Sequence, residues 1–391
     1  MRRISTVVAA AFLALAACSD APTSATPTHD AVISPITAHI QSVRHSAQPT
    51  SSARWHRKAI ALFRVRGGGG GRTLTYLGLA QYRAVLAALK AHKWPSRPSL
   101  AGAAAGASVV VLKQFYPMDQ ASIDAEFASQ RAGPAGDDDN DDLAAFDSGD
   151  AIGRAIGAAV LLQASTDGLN LTDPGPAPVG PGYWYTNGTP AVRGNLGLRP
   201  FYLRSASEIR PVPPPAFGSP EFLSALAETK SLAANRTPEQ MAIVRKWVPF
   251  ANTLFDSVAS DLIDKYHRSE FEAAAIFAYA GTADHDALIG CFEAKYHYWY
   301  IRPLQADPSI SLGTGMPNHP SYPSGHSCDN GAWVGILSIA FPRERSMLEA
   351  LGTEASTSRL LGGLHYRFDA DAGVVLGRTA ALLAVLRRGI E

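Results

Sequence analysis

Lys295-Tyr296-His297-Tyr298-Trp299-Tyr300-Ile301-Arg302-Pro303, then Pro323-Ser324-Gly325-His326, then Ser358-Arg359 followed by His365-Tyr366-Arg367-Phe368-Asp369: these three blocks decide how the chain is read. Within the 295–369 stretch they bring together three cations, a serine hydroxyl, a glycine amide and two histidines. That set can hold a tetrahedral oxyanion and do chemistry on it. Lys295 and Arg302 are seven residues apart, so on a helix both fall on one face, offset by about 20°. Pro303 disfavours helix at Arg302, which puts the pair on the last two turns of a helix expected over 268–302. Ser324 is a good N-cap for a helix over 324–341, and Gly325 lets backbone approach a ligand. The free N–H groups and the positive dipole end there favour an anion. His365 and Asp369, four apart, share a face if helical, and a carboxylate there fixes one imidazole nitrogen.

Taken singly, each block has a plain structural reading: a solvated Lys/Arg face, a helix start, a surface His–Asp pair. Their conjunction in this order carries more. The blocks follow K-x6-R-P, P-S-G-H and S-R-x5-H-x3-D, and in this they resemble the superfamily of vanadium-dependent haloperoxidases and type 2 phosphatidic acid phosphatases. The flanks, Ala294 to Tyr298 and His365 to Ala370, are similar to the soluble, bacterial haloperoxidase-like branch. The resemblance is strong over 236–391. Upstream it extends more weakly to Arg199-Pro200-Phe201 and to Arg210-Pro211-Val212-Pro213-Pro214-Pro215.

The resemblance implies an all-α helical bundle with long Pro/Gly-rich loops. It implies a vanadate cofactor, with phosphate able to take the same place, held by Lys295, Arg302, Ser324, Gly325 and Arg359. His365 would be the vanadium ligand, Asp369 its partner and His326 the acid/base group. Hydrogen peroxide and halide would be the substrates, and hypohalous acid the product. His319 and Phe292 would bear on the halide: bromide-using relatives carry histidine at the first position, and most of the branch carries tryptophan at the second. The alternative is a periplasmic acid phosphatase that acts on phosphomonoesters through a phosphohistidine at His365. A third reading is a non-catalytic oxyanion-binding lipoprotein. An acidic partner for His326 is not placed; Asp284 and Asp286 stand near Lys295 in sequence without matching that role. The charge balance agrees with an oxyanion, because three buried cations offset the roughly two to three negative charges of vanadate or phosphate, whose uncompensated burial is prohibitive. Guanidinium forks suit such anions.

Working outward, the 391 residues are 46% hydrophobic and 18% charged, enough for a sizeable core. The net charge of +1 gives no reason to expect a nucleic-acid partner. Arg2-Arg3, the apolar run Val7–Leu15 and Leu15-Ala16-Ala17-Cys18 resemble a bacterial lipoprotein leader over 1–18. Cys18 would then be lipidated, and the chain exported and anchored by lipid to the outer membrane, facing the periplasm or the cell surface. An ordinary secretory leader is the other reading. Residues 19–52 read as a flexible tether and 53–391 as one helical domain, its catalytic half about 236–391. Oligomeric state is not legible. Cys291 and Cys328 both fall near the anion site, and either a disulfide or two thiols fits.

The five glycines 67–71 read as a loop; no Lys-Ser/Thr follows, so no phosphate loop is inferred. The acidic run Gly136 to Asp142 lacks calcium-loop spacing and reads as solvated. Gly153 and Gly157 suggest a close helix crossing. Residues 166–219 read as a long irregular segment that wraps the core or lines the site entrance. Further helices are expected over 54–66, 76–90, 101–115, 121–131, 150–165, 238–264 and 343–386, the stretches from 238 onward with breaks.

Overall fold

The structure, a computed structural model, describes residues 49–67, 70–91, 97–133, 143–169, 175–186, 188, 190, 196–249 and 251–390. Cys18, the leader, almost all of the tether and the acidic run 136–142 lie outside them. The structure is 72% helical, with thirteen α-helices and no sheet among the described residues. They are α1 (Ser51–Arg66), α2 (Gly70–Lys90), α3 (Leu100–Phe115), α4 (Gln120–Ala132), α5 (Leu143–Ser165), α6 (Pro220–Ala234), α7 (Pro238–Lys246), α8 (Ala251–Lys265), α9 (Glu270–Tyr298), α10 (Pro303–Ala306), α11 (Gly325–Ala340), α12 (Arg345–Leu361) and α13 (Arg367–Arg387). None of the helices in the described residues is long and apolar enough to cross a membrane.

α9 is the axis of the bundle. Ser269 caps it, accepting from the Glu272 N–H while the Glu272 carboxylate accepts from the Ser269 N–H. Apolar and small residues occur all round it, and it packs on α2, α8, α11 and α13, as a helix without a polar face must. Two crossings are zipped by glycine. A Cβ on Gly102, Gly149 or Gly153 would overlap backbone across the α3–α5 contact. One on Gly331, Gly373 or Gly377 would do the same across α11–α13.

Several sequence expectations need correction. α9 ends at Tyr298, where Trp299 turns left-handed at φ 50°. Arg302 therefore lies beyond the helix, in extended backbone (φ −81°, ψ 153°) ahead of α10, and the pair does not share a helix face. His365 likewise precedes α13, with Asp369 in that helix's first turn. The 238–264 stretch divides into α7 and α8, a break the sequence allowed for without placing. Gly70 and Gly71 are helical rather than loop: a Cβ on either would press on Phe63 or Asn252, so close packing explains them. Ser51 and Ser52, assigned to the tether, open α1, and the Glu270 carboxylate caps both their N–H groups at 2.7 and 2.8 Å.

The described parts of the irregular segment wrap the end of α9. The Trp184 N–H donates to the Trp299 carbonyl (2.6 Å) and the Ile301 N–H to the Gly182 carbonyl (3.0 Å). Further on, prolines cannot donate, so the carbonyls of the 210–215 stretch need outside donors. The hydroxyls of Tyr298, Tyr322 and Tyr300 donate to the carbonyls of Pro211, Val212 and Pro215, each at 2.7 Å.

Candidate active site

The site forms where the C-terminal end of α9, the 317–324 loop, the end of α12 and the start of α13 meet. Lys295, Arg302 and Arg359 are all buried there, and none lies within ion-pair distance of a carboxylate among the described residues. Buried cations normally take a partner. Here they bond to carbonyls and histidines, which leaves the site positive.

His365 is the best-defined group. The Arg302 guanidinium can only donate, and its Nη1 lies 3.0 Å from His365 Nε2. Nε2 is therefore the unprotonated nitrogen, and Nδ1 carries the proton that it gives to Asp369 Oδ2 at 2.8 Å. The same Oδ2 accepts from the Ser321 hydroxyl (2.5 Å) and the Tyr366 N–H (3.2 Å). Burial pushes Asp369 up to about 6, while the Ser321 bond and the charges of Lys295 and Arg302 pull it back. Burial, then Arg302 and Lys295, hold His365 well below the usual histidine range, so Nε2 stays unprotonated, its lone pair accepting from Arg302 Nη1.

Arg302 also organises His319. Its Nε donates to the His319 carbonyl (3.0 Å), and its Nη2 lies 3.1 Å from His319 Nδ1, which is also 3.2 Å from the Pro320 carbonyl. The Phe292 ring stands edge-on to His319 with centroids 5.3 Å apart. Arg359 Nε donates to the Ser358 hydroxyl at 2.9 Å, and burial lowers both Arg302 and Arg359 to about 10. His326 Nε2 donates to the Trp247 carbonyl at 2.9 Å, just past α7. Burial and the nearby Arg359 hold His326 down at about 3, so it is neutral at neutral pH.

Ser324 ends the loop. Its N–H donates to the Asp369 carbonyl at 2.9 Å, but its buried hydroxyl has no hydrogen-bond partner among the described residues. A Cβ on the adjacent Gly325 would meet nothing within 4 Å. An orphaned buried donor beside open space at a helix N-terminus, among unpaired cations, is what an oxyanion would complete. Vanadate and phosphate both fit this donor set.

The structure thus brings Lys295, Arg302, Ser324, Arg359, His365 and Asp369 into one hydrogen-bonded and electrostatic unit with His319. Gly325 and His326 open α11 beside it. Asp286 accepts three N–H bonds from Phe201, Tyr202 and Leu203 at 2.7 to 3.0 Å, and so holds the irregular segment on α9. Asp284 accepts from the Asn252 side chain. Cys291 and Cys328 are buried free thiols, and Cys291 Sγ lies 3.9 Å from the Pro323 carbonyl. The sequence reading missed Ser321. Its signal was position alone, between two prolines and ahead of Ser324.

Residues 273–389 match the PAP2 superfamily model, so the resemblance read from the three blocks stands. Two lipid A 1-phosphatases, from Rhizobium johnstonii and Rhizobium etli, are 35% and 32% identical over 20% of this chain and 32% and 34% of their own length. A vanadium-dependent bromoperoxidase of Ascophyllum nodosum is 29% identical over 18% of each chain. The chain thus spans about a third or less of the curated relatives it matches. Solved structures cover far more. A bacterial vanadium-dependent iodoperoxidase aligns over 87% of this chain and 97% of its own, with TM-score 0.72 and 21% identity. A bacterial vanadium-dependent chloroperoxidase in its holo form aligns over 82% and 92%, with TM-score 0.64 and 17% identity. The fold is therefore the all-α fold of the bacterial vanadium haloperoxidases.

Proposed function

We propose that this chain is a vanadate-dependent haloperoxidase that oxidises bromide or iodide with hydrogen peroxide. The observation that carries the reading is the unprotonated His365 Nε2 among three buried cations that lack carboxylate partners. Likeness of fold to haloperoxidases along nearly the whole chain favours this reading over the phosphatase.

His365 would ligate vanadium through Nε2. Arg302, Arg359, Ser324 and the Gly325 N–H would hold the oxygens, with Lys295 adding charge. Bound vanadate would activate peroxide as an oxidant of halide. The chain's residues do the rest. Asp369 keeps the His365 proton on Nδ1 and so keeps Nε2 available. The arginines would stabilise negative charge from buried positions. His326, neutral when no anion is bound, would be the group that accepts and returns protons beside the site. The acid phosphatase acting through a phosphohistidine is the second reading, favoured by the local identity to the lipid A 1-phosphatases. Export, with lipid attached at Cys18, completes the proposal.

The test is reconstitution of the protein with vanadate, followed by bromination of a phenol indicator with peroxide and bromide, beside hydrolysis of an aryl phosphate without vanadate. Vanadate-dependent bromination with little hydrolysis is expected. Hydrolysis that vanadate inhibits, without halogenation, would replace the first reading with the second.

A further inference from the structure

Two carboxylates lie buried in the core outside the cage, Asp284 of α9 and Asp329 of α11, and Asn252 of α8 bonds to both. The Asn252 backbone N–H donates to Asp329 Oδ2 at 3.0 Å, and its Nδ2 donates to Asp284 Oδ2 at 3.3 Å. The remaining oxygens of the cluster, Asp284 Oδ1, Asp329 Oδ1 and Asn252 Oδ1, are closed in without a hydrogen-bond partner among the described residues. They are stranded acceptors, because an ionised carboxylate has no proton to give. No cation faces them among the described residues. The groups that do are Cys291 of α9 and Cys328 and Trp333 of α11. Gly71 of α2 closes the cluster, and a Cβ there would come within 2.7 Å of Asn252 Nδ2.

Two facing carboxylates in such a place cannot both stay charged. A proton answers both problems: it turns one acceptor into a donor and removes one of two like charges. We propose that Asp284 and Asp329 form an acid pair that shares one proton at neutral pH and so joins α8, α9 and α11 in a pH-sensitive clamp, about one helical turn along α11 from His326. Burial, then the Asp284 charge, pushes Asp329 well above the usual carboxylate range. Burial pushes Asp284 up to about 7, with Asn252, Asp329 and Trp333 pulling it back. The proton belongs to the pair rather than to either residue. Both values are raised, so the stability that the clamp contributes is full below the unfolded carboxyl value of about 3.9. It is lost as pH rises toward the folded values and through them.

Asparagine has the shape of a protonated aspartate and keeps a donor at every pH, so it fixes the clamp in its closed form. Infrared spectra of wild type at about pH 7.5 should show the carbonyl stretch of a protonated carboxyl, since burial disfavours the charged form. Asp369 and Asp286, each raised to about 6, are largely ionised there. Asp284→Asn and Asp329→Asn should each lose the band, because either change gives the remaining carboxylate a donor. Relative to the double variant, the wild-type unfolding constant should rise about tenfold per pH unit between about pH 7 and 8, the signature of one proton held by the folded chain and released on unfolding. Exchange of the Asn252 amide, corrected for its intrinsic rate, should quicken at alkaline pH in wild type and not in Asp284→Asn. A band missing from wild type, a band kept in both single variants, or a flat ratio of unfolding constants would overturn the proposal. So would a missing band together with a denaturation midpoint that rises in sodium or calcium chloride but not in choline chloride, which would put a metal ion where the proton is placed. If the double variant does not fold, the wild-type spectrum beside either single variant decides.

Discussion

Two buried histidine–carboxylate pairs stand in this molecule. His56 Nδ1 meets Asp256 Oδ2 at 2.6 Å, where α1 packs on α8, and the ring stacks on Phe277 with centroids 3.6 Å apart. His365 Nδ1 meets Asp369 Oδ2 at 2.8 Å beside α13. Both histidines are buried, and both carboxylates are wholly so. What separates them lies at the other nitrogen. His56 Nε2 is closed in without a partner among the described residues, as is Asp256 Oδ1. His365 Nε2 faces Arg302, with Lys295 and Arg359 near enough to act on it electrostatically. The pairing alone therefore identifies no site. Cations on the far side of the ring turn a packing device into one that can bind and activate an anion.

Removing each histidine should break the two pairs in different ways, and these are the largest effects expected. His365→Ala should lower turnover on the order of a thousandfold, because the covalent position is lost. Asp369 keeps its bonds from Ser321 and Tyr366, so the fold should survive and weak electrostatic binding of oxyanion should remain. His56→Ala strands Asp256 in the core and should cost about 3–5 kcal/mol of stability, while the folded fraction binds phosphate normally. Chemical denaturation and calorimetric titration of both variants check this. A His56→Ala protein that folds well but no longer binds phosphate would erase the distinction.

The contrast also marks how far the sequence could be read. The site's members were legible because short blocks carried them: Lys295, Arg302, Ser324, Arg359 and His365 are all found together. Their mounting was not. Spacing suggested a helical Lys295–Arg302 face, but the left-handed Trp299 ends α9 first, and a local conformational choice of that kind leaves little trace in periodicity. Nor could spacing reveal that Lys295 faces carbonyls, since those acceptors are backbone and belong to a loop 25 residues on. The helical class was legible from periodicity. The position of the break between α7 and α8 was not, although the break places the Trp247 carbonyl against His326.

A middle-sized effect tests the cations themselves. Arg359→Ala should weaken phosphate and vanadate alike by about ten- to a hundredfold, the worth of a charged hydrogen bond at about 1.5–3 kcal/mol. The two anions should compete in wild type, and failure to compete would mean separate sites. The charge is also titratable. Burial, then the Arg302 charge, lowers Lys295 to about 8 in the ligand-free protein. A bound anion favours the charged form and moves that value up. Affinity should therefore be full below about pH 8 and fall as pH rises through it. Tungstate is the better probe, since it stays dianionic across this range whereas phosphate does not. Tungstate affinity that is flat from pH 7 to 9.5 would remove Lys295 from the charge balance of the site.

The smallest expected effect is the sharpest test of what surrounds His365. His319 sits between Arg302, which donates to its Nδ1, and the edge-on ring of Phe292. Burial and the charges of Lys295 and Arg302 hold it well below the usual histidine range, so it is neutral. A neutral imidazole there can exchange protons with bound peroxide and temper its electrophilicity; a phenyl ring can do neither and keeps the pocket drier. Chloride is the hardest of the common halides to oxidise and needs the more activated oxidant. Wild type, reconstituted with vanadate, should therefore oxidise iodide and bromide with little chloride oxidation at neutral pH. His319→Phe should shift the ratio of chloride to bromide turnover upward by a few-fold, on the scale of one neutral hydrogen bond of about 1 kcal/mol. Halogenation of a phenol indicator with each halide measures the ratio directly. The variant also loses an acceptor for Arg302 Nη2, so a fall in vanadate affinity must be separated from the halide effect by saturating the cofactor. Identical halide profiles at saturation would assign His319 to packing beside Arg302, a role nearer to that of His56.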